Sequence, residues 1–145
     1  MVVVGDGEMR SEMEQFCADH DLLGVHFAGW QTDVTAYLAA MDIFAFHSMP
    51  HSEGLPTVVT EAAMMGLPLV LADIACLREV YTHERQALFA TPAAPEEFAE
   101  QLTRVLESAS LRETLSREAR AVAGGLFTID AMTDRYLALY EEILG

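Results

Sequence analysis

Two carboxylates set seven residues apart, Glu53 and Glu61, stand in the stretch Ser52-Glu53-Gly54-Leu55-Pro56-Thr57-Val58-Val59-Thr60-Glu61-Ala62-Ala63-Met64-Met65-Gly66. Proline is tolerated at a helix start, where its missing N–H costs nothing, so the spacing predicts a helix opening at Pro56 and closing at Gly66. Glu53 then lies in the loop before the helix and Glu61 in its second turn. The free N–H groups around Gly54, Leu55 and Thr57 would face whatever occupies the helix start, and the helix dipole favours an anion there. Gly54 lets a ligand approach the backbone closely. A carboxylate accepts two hydrogen bonds from a vicinal diol. Acids on either side of an anion site therefore suit a ligand with a phosphate centre and hydroxyls at both ends, as in a nucleoside diphosphate sugar. In a chain with 23 acidic residues an acid pair alone carries little; the residues around it carry the argument.

The elements that must hold this segment alternate between strand and helix. Val2-Val3-Val4 is a β-branched run ending at Gly5-Asp6-Gly7. Met9, Met13, Phe16 and Cys17 recur at helical spacing, Val25–Gly29 reads as a second strand, and Asp33 is placed to cap a helix with Val34, Tyr37, Leu38 and Met41 on its apolar face. Ile43-Phe44-Ala45-Phe46 is an unbroken apolar run of the kind covered on both faces in a parallel sheet. Leu69–Ala72 is another such strand, Ala75–Tyr81 a short helix and Leu88–Ala90 a short strand. From Pro95 the chain is helical, with apolar stripes at Phe98, Leu102, Val105 and Leu106; at Leu111, Leu115, Ala119 and Val122, ending at Gly124-Gly125; and at Ile129, Met132, Tyr136, Leu139, Tyr140 and Ile143. The methionines fall mostly on such stripes and are expected in the core. Alternation of this kind implies an α/β fold: a Rossmann-like parallel sheet with helices on both faces. Ligands of such sheets sit beyond the carboxyl ends of the strands, where Gly5, Gly7, Gly29, Trp30 and the His47–Gly54 loop all belong.

Composition removes several functions. The 145 residues suit one domain, and no apolar run approaches the ~18 residues of a membrane span. A net charge of −15, with eight arginines and no lysine, leaves no basic patch for nucleic acid. Cys17 and Cys76 form no CxxC pair and read as free thiols of a reducing cytoplasm. His47 and His51 are separated by Pro50, and neither they nor His20, His26 and His83 form a metal-ligand cluster, so no metal is expected. Ser48 and Ser52 lack a base with an orienting partner, and Gly5-Asp6-Gly7 is not a dinucleotide fingerprint, so no redox cofactor is expected.

The segment Glu53-Gly54-Leu55-Pro56…Glu61-Ala62…Gly66-Leu67-Pro68-Leu69-Val70 resembles the signature of the retaining glycosyltransferases of the two-Rossmann-domain (GT-B) fold, the family 4-like, group 1 enzymes. Val3-Val4-Gly5-Asp6-Gly7-Glu8-Met9-Arg10, Val25–Gly29, Tyr37–Ile43 with Ser48, Leu77-Arg78-Glu79-Val80 and Tyr136…Leu139-Tyr140 match in order, so the resemblance spans nearly the whole chain. It implies that residues 1–145 form one C-terminal donor-binding domain, truncated at its N-terminus. Glu61 would hold the ribose hydroxyls of a nucleotide-sugar donor. Glu53 would lie near the transferred sugar, as the catalytic candidate. The Gly54-Leu55-Pro56-Thr57 backbone would meet the sugar and distal phosphate, Gly29 and Trp30 would border the base, and Gly5 and Gly7 would form a turn facing the cleft. The family's first strand, its Arg…Lys pair and its acceptor domain would precede Val2, supplied in cis or in trans. Without that strand, pairing of two copies through an open strand edge is expected. The family's His-Gly-x-x-Gly turn reads His83-Glu84-Arg85-Gln86-Ala87, with both glycines replaced. The rival readings are a non-catalytic remnant or interaction domain of the same fold and a fragment of a nucleotide-sugar epimerase.

Overall fold

A computed structural model describes residues 1–50 and 54–145. The chain divides into two compact units, Met1–Ala40 and Met41–Gly145. The first unit contains β1 (Val2–Val4), α1 (Arg10–Asp19), β2 (His26–Gly29) and α2 (Thr35–Ala39). β1 and β2 pair in parallel, with Val2 opposite His26 and Val3 opposite Phe27. The helical spacing of Met9, Met13 and Phe16 does form α1, but Met13 stays 46% exposed and Phe16 56%, and the helix buries no residue. The N-cap of α2 is Val34, not Asp33 as expected; Asp33 stands one residue earlier, and its Oδ1 accepts the Thr35 amide at 2.9 Å. β1 has β2 as its single strand partner among the described residues, so its other edge is open.

The second unit contains β3 (Phe44–Phe46), α3 (Thr57–Met64), β4 (Leu69–Ala72), α4 (Ala75–Arg78), β5 (Ala87–Ala90), α5 (Pro95–Glu107), α6 (Ala109–Leu126) and α7 (Ile129–Leu144). The sheet order is β3-β4-β5, all parallel, with Leu69 opposite both Phe44 and Ala87. β4 and β5 are buried at every position. Val70 and Leu88 of the sheet pack with Val105 of α5 and Leu115 of α6, and Ile43, Phe98, Leu102 and Leu111 close the cluster. This is the expected α/β arrangement of parallel strands with helices against them. Tyr81 lies beneath the surface at 1% exposure, and burial pushes its phenol up.

Four further expectations are corrected. Phe44 is buried but Ala45 is exposed, so β3 is not covered on both faces here; among the described residues β4 is its single strand neighbour. The helix after the candidate loop starts at Thr57, with Pro56 as its cap at ψ 115°. Six of the eight methionines are exposed, from Met65 at 39% to Met1 at 78%: Met13 and Met132 stand on exposed helix faces, and Met1, Met9, Met49 and Met65 lie outside the helices. Gly124 and Gly125 do not stop α6, which continues to Leu126. The last stripe, on α7, is formed as read but buries nothing.

Glycine inside a helix costs backbone entropy, and a side chain added at Gly124 or Gly125 meets no other atom within 4 Å. Gly124→Ala and Gly125→Ala are each expected to raise stability by about 0.5–1 kcal/mol, read from the urea unfolding midpoint.

Candidate functional site

The carboxyl end of β3 leads through His47 and Ser48 into the loop before α3. The His47 ring meets the Phe98 ring edge-on, with centroids 5.0 Å apart. Glu53 and His51 lie outside the described residues. Beyond them, Gly54, Leu55 and Thr57 are exposed, while Pro56 is buried and its extended ψ turns the chain into the helix. No side chain caps α3. The Val59 amide closes a tight turn onto the Pro56 carbonyl at 3.1 Å. Among the described residues the amides of Gly54, Leu55, Thr57 and Val58 have no hydrogen-bond partner, so the start of α3 presents a group of unsatisfied donors. Glu61 is exposed, and among the described residues its carboxylate has no partner.

Gly66 ends the same helix. It holds φ +78°, and the amides of Gly66 and Leu67 bond the carbonyls of Ala63 and Ala62 at 2.9 and 3.0 Å, a Schellman cap. That turn feeds Pro68 directly into β4. The anchoring at this end fixes the angle at which the opposite end, with its open amides, emerges beyond β3.

The neighbouring strand ends of this unit carry a second polar group, which sequence reasoning read only in part. Asp73, directly after β4, receives Arg78 in a fork, Nε to Oδ1 at 2.5 Å and Nη2 to Oδ2 at 2.6 Å. The same guanidinium lies 4.2 Å over the Phe89 ring. His83 Nδ1 accepts the Phe89 amide at 3.0 Å. Glu84 stands where the family turn has its first glycine, and it holds φ +61°, a left-handed conformation that glycine adopts without strain. Its carboxylate binds Arg104 at 2.6 Å.

In the first unit, the Gly5 amide bonds the Gly29 carbonyl at 2.9 Å, bringing these two predicted residues together beyond the strand ends. Gly29 holds φ +70°, and a Cβ there would stand 2.8 Å from Arg10 Nη1, so no other residue fits without displacing the guanidinium. Gly7 donates its amide to Asp6 Oδ1 at 2.9 Å. Trp30 is 76% exposed. Arg10 is paired on both sides, with Asp6 Oδ2 at 2.9 Å and Glu14 Oε1 at 2.8 Å. Neither Arg10 nor Arg78 is thus a free cation. For Arg10 the acids four residues before and after it signalled this. For Arg78 the partner is five residues earlier, across a strand end, where no simple spacing announces it. Among the described residues no group of acids, histidines and cysteines is arranged to hold a metal ion.

Residues 1–108 match the sequence family described as Glycosyl transferases group 1. The chain belongs to this glycosyltransferase family. Among curated relatives of the group 1 domain, the lipopolysaccharide core biosynthesis glycosyltransferase LpsE of Rhizobium meliloti (strain 1021) is 31% identical over 94% of this chain and 40% of its own length. LpsD of the same organism is 32% identical over 97% of this chain and 40% of its own. The group 1 chain thus spans about 40% of the length of these relatives. The crystal structure of Anabaena Alr3699/HepE in complex with UDP-glucose superposes with a TM-score of 0.85 at 26% identity, covering 97% of this chain and 40% of that one. The fold is that of the GT-B glycosyltransferases.

The Arg78 guanidinium holds the Asp73 carboxyl below its ordinary value of 3.8. The folded value lies below the unfolded one, so the pair's contribution is complete above 3.8 and fades as pH falls through the lower folded value. Both side chains are more than a third exposed, which keeps the contribution small. Arg78→Gln is expected to be less stable than the parent at neutral pH, by a margin that closes as pH falls below 3.8. Urea unfolding across pH reads this; a margin that persists in acid would mean that stacking on Phe89, not the ion pair, is what Arg78 contributes.

Proposed function

We propose that this chain is the C-terminal, donor-binding domain of a retaining glycosyltransferase and that it binds a nucleoside diphosphate sugar at the N-terminus of α3. The observation that carries this reading is the group of amides of Gly54, Leu55, Thr57 and Val58 that have no partner among the described residues, followed one turn into α3 by Glu61, whose carboxylate likewise has none among them, in a chain of this family. Donors at a helix start bind phosphate oxygens without any cation, and the helix dipole adds to them. Glu61 accepts the ribose hydroxyls. Gly54, Leu55, Pro56 and Thr57 line the sugar and distal phosphate, and Glu53 lies near the transferred sugar as the catalytic candidate. Gly5, Gly7, Gly29 and Trp30 of the first unit are proposed as further donor-binding residues on the family resemblance alone. That HepE was crystallised with UDP-glucose supports a nucleotide sugar as the ligand class. No metal takes part in the reading. Cys17 and Cys76, both free, fit a cytoplasmic setting.

Turnover makes a further demand. A departing diphosphate needs fixed dipoles and cations where its charge develops. Arg10 and Arg78 are already neutralised by acids, and the chain as a whole carries −15. We therefore propose that the acceptor domain and the missing cations come from a further segment, in cis or in trans, and that these 145 residues alone bind donor but do not transfer. The expected result with purified chain is neither glycosyl transfer nor donor hydrolysis; detectable turnover would sink this part of the proposal.

Calorimetric titration with UDP, GDP, ADP and their sugar conjugates tests binding. One base is expected to be preferred. Glu61→Ala is expected to weaken binding about 10–100-fold, the loss of two hydrogen bonds to a charged acceptor. Thr57→Pro removes one amide donor at a position where proline fits the helix, and about tenfold is expected to be lost with the fold intact. No binding by any nucleotide, in a chain shown to be folded, would favour the non-catalytic remnant.

A further inference from the structure

We draw no further inference here: the strongest candidate, the open depression between the Gly66 end of α3 and helix α6, where Ser116, Arg117 and Arg120 stand beside Met65, carries no proposal because nothing in the structure shows what covers it.

Discussion

The complete burial of β4 governs the second unit. A strand hydrogen-bonded on both sides by parallel neighbours and covered on both faces cannot be reached by a tight hairpin; each connection must cross the sheet, and a helix is the shortest way to cross it. Three parallel strands therefore end at one rim, and the chain leaves that rim each time by a loop that must find a helix start. Pro56 solves this locally. Its fixed φ brings the chain from extended to helical geometry in one residue and supplies no side-chain cap, so among the described residues the first amides of α3 stay open. An ordinary serine or aspartate cap would have steadied the helix and closed the place where an anion can be held.

The way the arginines are used sets the electrostatic character of the molecule. Arg10, Arg78, Arg85, Arg104 and Arg117 each face a carboxylate, and Arg112 bonds the Val105 and Leu106 carbonyls at the end of α5, both at 2.7 Å. Cationic side chains here stabilise turns and helix ends rather than waiting for a ligand. What positive potential the candidate loop offers comes from backbone dipoles. These are fixed by the fold and cannot be titrated away.

Much of this was legible in the sequence because the signals were local. Strand runs bounded by glycine and Gly66 before Pro68 each predicted an element or a cap that formed as read, and the Asp33 carboxylate bonds the Thr35 amide, though Val34 holds the cap position. The misreadings share one cause: periodicity reports that a face is apolar, not that something covers it. Met9, Met13 and Phe16 on α1 and the α7 stripe have the spacing of a packed helix and remain exposed. Ala45 reads as a buried strand position and is exposed, so among the described residues its face of β3 is uncovered. Gly124 and Gly125 show the opposite limit, since flanking residues with good helix propensity carry α6 through them. In the candidate loop, residue type and order pointed to the amides and to Glu61, whereas the Asp73–Arg78 fork depends on the return of the chain after β4.

Trp30 is the single tryptophan in the chain, and it stands three-quarters in water at the end of β2. An indole already hydrated in the native state changes its surroundings little when the protein unfolds. Its emission is then nearly blind to the melting of the β3-β4-β5 sheet, which circular dichroism follows directly, and the two signals need not coincide even where each unit unfolds cooperatively. The same exposure makes the ring sensitive to any planar group laid against it. One chromophore thus serves as a poor thermometer for the fold and a sensitive detector of whatever stacks on it.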